Sequence, residues 1–220
     1  MSPRITFERE LGLLHENVAD MAKKVEKNYE ELFEAYENKA EEVVRAIKQN
    51  DKEINDKQRE IESECMFLIT KQQPVIGDLR VVTASLKIVT DIERVGDHVT
   101  DMAELLLRLN MKNFEQYSAH LSPMIQATKE MVRMAVIAFV EKNTEAAREV
   151  IESDDIVDEL FNKVKNDLID LLRKDAKDAD ECVDILMLAK YLEKIGDHAV
   201  NIGEWTIFQE TGNVNNVRIL

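Results

Sequence analysis

"ERVGDHVTDMAE" occupies residues 93–104, and "EKIGDHAVNIGE" occupies residues 193–204. The same glycine-centred phrase of acids and histidine recurs in a chain that holds only six glycines and four histidines. Similarity at a long fixed period marks a duplicated structural unit. It also extends beyond the phrase. "NDKEIN" at 50–55 aligns with "SDDIVD" at 153–158, and upstream Arg45 falls on Arg148 and Ile47 on Val150. A repeat that covers two helix positions in each half implies a duplicated three-helix unit.

Apolar residues recur at helical spacing along the chain, and no stretch alternates as a strand would. The punctuation places helices at 5–36, 39–71, 78–110, 114–142, 144–174 and 179–210. Asn38 and Asn143 read as caps between the first and second helices of each half. Pro74 in "QQPVIGD" closes the second helix, and Asp78 reads as the N-cap of the third. Asp178 and Glu181 have the spacing of a capping box. Pro123 belongs either to the first turn of the fourth helix or to a kink within it. The expected fold is all-α: two tandem three-helix bundles related by the internal repeat, 1–111 and 112–220, each around its own amphipathic core.

Composition supports packed helices. Of the 220 residues 45% are apolar, 33% charged and 5% aromatic, with three prolines. The net charge of −15 argues against nucleic acid and anionic membranes as direct partners. No apolar run reaches the ~20 residues of a spanning helix, and no leader-like segment is evident, so a soluble cytoplasmic protein is expected. Cys65 and Cys182 read as buried, inert thiols of a reducing compartment.

On a helix, Ile88, Ile92, Val95, Val99, Met102 and Leu106 form a buried seam. Glu93, Asp97, Asp101 and Glu104 fall on a separate stripe, matched in the second half by Glu193, Asp197, Asn201 and Glu204. A solvated face normally pairs an acid with a base four residues on; here Glu93 meets Asp97, and Asp97 meets Asp101. Each like-charge pair costs a few tenths of a kcal/mol, and mid-helix Gly96 and Gly196 cost about 1 kcal/mol each relative to Ala. The same rules are broken in both repeats, which points to compensation by a multivalent cation. Hard oxygen ligands suit Mg, Ca or Mn, and carboxylate clusters also hold iron. Asp51 and Asn55 in the second helix, with Asp154 and Asp158 aligned in the fifth, add oxygen donors. The candidate metal residues are thus Asp51, Asn55, Glu93, Asp97, Asp101, Asp154, Asp158, Glu193, Asp197 and Asn201. The competing reading is a plain solvated face. His98 and His198 point about 100° away from the adjacent aspartates, so they fit an orienting role toward Asp101 or a helix–helix contact as well as ligation. A ferritin-like Glu-x-x-His pattern, a P-loop, GxSxG, CxxC and HExxH are all missing from the sequence, so no enzymatic activity is expected.

The doubled phrase resembles the "DLERIGDHAxNIAE" motif of the PhoU family, the phosphate-transport accessory and regulatory proteins of bacteria. The residues that carry the resemblance are "DIERVGDHVTDMAE" at 91–104, "YLEKIGDHAVNIGE" at 191–204 and "KQQPVIGDLR" at 71–80. It implies a cytoplasmic protein, often dimeric, that modulates the phosphate transporter and represses the phosphate-starvation response. The implied partners are the transporter ATPase PstB and the sensor kinase PhoR, with membranes met only through them. Some members carry multinuclear metal clusters on E(D)xxxD motifs; these map onto Glu93–Asp97 and Glu193–Asp197, and with the aligned pairs onto Asp51–Asn55 and Asp154–Asp158. Iron, zinc, manganese, magnesium and calcium are the cations to consider. The chain departs from that pattern at Asn55 and Asn201, and its second half lacks the proline-containing turn. The alternative expectation is a metal- or phosphate-binding protein that buffers or senses without a signalling partner.

Overall fold

The turn between the first two helices of each half shows the duplication in the backbone. Lys39 and Lys142 both take left-handed φ values, 57° and 54°. Behind them the Ala40 and Asn143 amides each close a 2.8 Å bond, to the carbonyls of Ala35 and Ala138. This is the 6→1 closure that satisfies the orphan carbonyls of a helix C-terminus. Asn143 then caps the following helix, its side chain accepting from the Glu145 and Ala146 amides. Asn38 acts at the other end: its amide donates to the Glu34 carbonyl of the helix it terminates.

The computed structural model describes residues 3–72, 74–109, 114–175, 177–214 and 217–219. Within them the helices are α1 Pro3–Glu37, α2 Glu41–Gln72, α3 Ile76–Arg108, α4 Leu121–Glu141, α5 Thr144–Lys174 and α6 Ala179–Thr211. The expected boundary at 111/112 and the expected end of the third helix at 110 lie outside the described residues.

Three local expectations are corrected. α3 starts at Ile76 with Val75 as its N-cap, so Asp78 lies inside the first turn, where a carboxylate faces the positive end of the helix dipole. α4 starts at Leu121, not 114. Phe114–Gln116 form a separate 3-10 turn, pinned where the Phe114 amide donates to the Tyr36 hydroxyl at 2.9 Å and the two rings stack at 4.4 Å. Pro123 is therefore the third residue of α4, a first-turn proline. Asp178 is the N-cap of α6, but its side chain makes no capping bond. Beyond α6, Gly212 at φ 76° ends the helix, and Asn213–Val214 pair with Val217–Arg218 in a minimal antiparallel ladder that the sequence did not announce.

The core runs through all six helices without a break. α2 contributes Ile47, Ile54 and Ile61, and α5 contributes Val150, Val157 and Val164; a strict seven-residue spacing is the narrow seam of a helix buried on one side. The expected α3 seam, Ile88 to Leu106, is buried throughout. α3 touches α1, α2 and α6, while α6 touches α3, α4 and α5, so α3 and α6 form the centre. α1 and α4 meet at a buried polar link, where the Tyr29 hydroxyl donates to the Ile125 carbonyl at 2.9 Å and lies 2.6 Å from the Thr128 hydroxyl.

Glycine lets α5 approach α6 more closely than α2 approaches α3. A Cβ at Gly203 would stand 3.0 Å from the Ala147 carbonyl oxygen, whereas Ala103 fills the matching place in α3. A backbone carbonyl cannot move aside. Gly203→Ala is therefore expected to lose about 1–2 kcal/mol in urea denaturation, the overpacking cost exceeding the helix-propensity gain. At Gly96 the nearest atom is the end of the Ile54 side chain, at 3.3 Å, which can rotate away, so Gly96→Ala is expected to be neutral or stabilising. Equal effects at the two positions would contradict the close backbone approach.

Candidate functional site

The repeated phrase has two faces that do different work. One is turned to the α3–α6 contact. Asp91 is 9% exposed, and its Oδ1 lies 2.9 Å from His198 Nδ1 and 3.0 Å from Asn201 Nδ2. An ionised carboxylate only accepts, so His198 Nδ1 carries the proton. Shifting each residue by one hundred gives the reciprocal set: His98 packs on the Tyr191 ring at 5.4 Å, and Asp101 lies against the Tyr191 hydroxyl. The two histidine rings meet at 5.6 Å between these sets. Burial and the neighbouring His198 push the His98 imidazole below its ordinary pKa, which keeps it neutral at pH 7. Both histidines thus serve the helix–helix contact, and His98 Nδ1 also lies 3.7 Å from Asp101 Oδ2.

The other face carries the acids. In the first half Asn55 donates to Asp51 at 3.0 Å, and Thr100 reaches across from α3 to Asp51 at 3.5 Å. Burial and the field of Asp97 raise the Asp51 carboxyl; burial and Asp97 likewise raise Glu93. Arg94 answers them, 3.1 Å from Asp97 and 3.5 Å from Glu93. In the second half Lys194 is bonded to Asp197. Glu193 Oε2 is ion-paired with Lys190 Nζ at 2.6 Å and Lys194 Nζ at 3.5 Å, both off the direction of a good hydrogen bond. Asp154 has no donor at all on its buried Oδ1. Burial, then the fields of Asp158, Asp197 and Glu193, push its carboxyl up to about 6.

The structure therefore gathers Asp51, Asn55, Glu93 and Asp97 at one place and Asp154, Asp158, Glu193 and Asp197 at another. It leaves Asp101 and Asn201 out of both groups. At 100° per residue, Asp101 lies about 80° round the helix from Glu93, while Thr100 lies about 20° from it. Asp101 and Asn201 belong to the repeat interface, and Glu104 is paired with Lys48 of α2. Among the described residues no three His, Cys, Asp or Glu side chains stand in a ready arrangement for a metal ion. Gly196 explains part of the second site: a Cβ there would meet Asp154 Oδ1 at 3.2 Å. At Gly96 the neighbour is Ile54 instead, so the glycines admit an acid only in the second half.

The PhoU domain profile matches residues 18–106 and again 121–206, one match for each half. The chain belongs to the PhoU family. It is 36% identical over 210 residues to the phosphate-specific transport system accessory protein PhoU homolog of Clostridium acetobutylicum, covering 95% of this chain and 96% of that one. It is 31% identical to PhoU homolog 1 of Thermotoga maritima, covering 96% and 92%. In structure it is similar to the crystal structure of PhoU from Pseudomonas aeruginosa, with a TM-score of 0.89 at 26% identity over 94% of this chain and all of the other. The PhoU of Streptococcus pneumoniae gives 0.87 at 26% identity over 96% of this chain.

Within this PhoU fold, sequence reasoning missed Asp91, Tyr191, Thr100, Arg94, Lys190 and Lys194 as members of the two faces. Asp91 and Tyr191 occupy the same place in the two repeats but differ in chemistry, so the duplication gave no pattern to read. Thr100 was detectable from its angle on the helix wheel.

Two stability measurements separate the faces. Asp91→Ala strands the His198 and Asn201 donors at a buried contact, and urea denaturation is expected to show a loss of about 2–3 kcal/mol. Asp154 has the opposite sign. A carboxyl raised from 3.8 to about 6 on folding opposes folding when ionised, so stability falls as pH rises through that window and stays low above it. The displacement corresponds to ~3 kcal/mol, which solvent screening at this half-exposed group reduces to about 1 kcal/mol. In chelator at pH 7.5, Asp154→Asn is expected to raise Tm by about 2–4 °C, with the gain shrinking as pH falls toward 4. A lower Tm for the variant would show that Asp154 is held by a favourable partner.

Proposed function

We propose that this PhoU-family chain is an accessory regulator of the phosphate-specific transport system that represses phosphate-starvation genes while phosphate is plentiful. In this reading it works in the cytoplasm as a homodimer, meets the membrane only through its partners, and acts on the transporter ATPase PstB and the sensor kinase PhoR. The observation that carries the reading is the coincidence of the two profile matches with the two structural repeats, in a chain collinear with relatives named phosphate-specific transport system accessory proteins. No helix among the described residues is long and apolar enough to cross a membrane, which accords with an accessory chain.

A divalent or iron cation is part of the proposal, and the donor chemistry fits one. Asp154 Oδ1 and Asn55 Oδ1 are buried oxygens without a hydrogen bond, and Glu93 Oε2 and Glu193 Oε2 are met only by ion pairs; oxygens are the ligands that Mg, Ca, Mn and iron prefer, and zinc also accepts carboxylates. Asp51, Asn55, Glu93 and Asp97 would hold it in the first half, and Asp154, Asp158, Glu193 and Asp197 in the second. Arg94 and Lys194 engage the aspartates where a cation would compete for them. The bound ion would neutralise repulsion among the acids, coupling cation occupancy to the stability of α2 on α3 and of α5 on α6.

Deletion in a strain without a second PhoU-like gene is the test of the regulator role. An alkaline phosphatase reporter is expected to stay active in phosphate-rich medium and to be silenced again by the wild-type chain. Normal repression in the deletion strain would defeat this reading. If the purified chain nevertheless gained Tm with Mg, Mn, Zn or Fe(II), by RT ln(1 + [L]/Kd), a metal-buffering protein without a signalling partner would remain.

A further inference from the structure

The two repeats also differ in the outer groove between their first and second helices, where the edge of the core reaches the surface. Val25 and Met131 hold matching places against Gly96 and Gly196, which fixes how α1 aligns with α4. On that register Lys24 corresponds to Glu130 and Asn28 to Met134, and in the adjoining helices Glu53 corresponds to Ile156. In the first half these residues close a polar groove of about 190 Å³ between α1 and α2, bridged by Lys24 and Glu53 at 3.8 Å. In the second half the same groove, between α4 and α5, is about 310 Å³ and is lined by Met131, Met134, Val150 and Ile156. Ile156 stands 55% exposed on its wall. A polar bridge has been replaced by an open apolar channel wide enough for one or two large side chains.

The walls show what would fill it. "EAAREVIESDDIVDE" at 145–159 of α5 carries seven carboxylates and one arginine, whereas the aligned "EVVRAIKQNDKEIND" at 42–56 of α2 carries four carboxylates and three basic residues. Glu149 borders the groove, with Glu152 and Asp155 beside it, and none of the three enters an ion pair among the described residues. Glu130 on the opposite wall is already bonded to Arg133 at 2.9 Å. We propose that the α4–α5 groove is a docking site for a basic amphipathic helix of a partner protein, which places an apolar side chain among Met134, Val150 and Ile156 and its Lys or Arg residues against the α5 carboxylates. Methionine lining adapts to varied apolar shapes, and laying a helix's apolar face into such a groove is a common mode of recognition. A second copy of this chain fits poorly, because both surfaces would be acidic. The inference rests on the regulator reading only in requiring a partner; the genetic test above and the binding test below fail independently.

The test uses the full chain and a fluorescein-labelled synthetic peptide with a leucine face and a lysine face. A scrambled peptide of the same composition has the same charge but no stripe. By anisotropy the amphipathic peptide is expected to bind wild type about tenfold more tightly than the scrambled one, a difference of ~1.4 kcal/mol. Ile156→Glu, at an exposed position, is expected to remove that preference while the melting curve stays cooperative. Met134→Asn, which restores the first-half residue, is expected to weaken it too. In methyl-labelled methionine NMR the Met134 signal is expected to shift on titration. Equal binding of both peptides, an unchanged preference in Ile156→Glu, or shifts confined to other methionines would overturn the proposal. So would conversion of a wild-type dimer to monomer by Ile156→Glu in sedimentation, which would assign the groove to a second copy.

Discussion

The contact of α3 with α6 is the constraint on which the rest of the molecule depends. Each three-helix unit leaves one face of its third helix apolar and unpaired, and the duplicated unit supplies a complementary face one hundred residues away. The pairing is reciprocal in the manner of an isologous dimer interface: Asp91 takes His198 and Asn201, while Tyr191 takes His98 and Asp101. One apolar core runs through all six helices, so the contact joins the two halves into one. Polar groups inside such a seam are costly unless satisfied. Their reward is register, because only one alignment of α3 on α6 brings Asp91 to both of its donors.

With the centre fixed, the acid groups lie on the flanks, where α2 meets α3 and α5 meets α6. They are poor glue. Burial and mutual repulsion raise the carboxyls of Asp51, Glu93 and Asp154, and Arg94, Lys190 and Lys194 offset this only in part. The halves have also diverged. The first site satisfies Asp51 with Asn55 and Thr100; the second presses a bare Asp154 against Gly196. The outer grooves diverge in the same sense, polar and bridged in the first half, apolar and open in the second. Duplication supplied a scaffold with two copies of every surface, and the copies leave different groups unbonded: Asn55 and Glu93 in the first half, Asp154 and Glu193 in the second.

By itself the sequence determined the architecture. Helical periodicity, the repeat offset, Pro74 and Asn143 placed six helices within a few residues, because these signals act over one or two turns. The α3 seam and the gathering of Asp51 with Asp97, and of Asp154 with Asp197, followed from phase and repeat alignment. Asp78, the start of α4 and the terminal ladder did not, since an apolar N-cap at Val75 and the stacking of Phe114 on Tyr36 leave no local signature. Only the tertiary structure decided that Asp101, Asn201 and both histidines face the partner repeat. Residues at i and i+4 differ by about 40° on a helix, and successive steps carry a stripe from one neighbour to the next. Which helix occupies each angle is set by packing between segments a hundred residues apart, and no window of sequence contains that information.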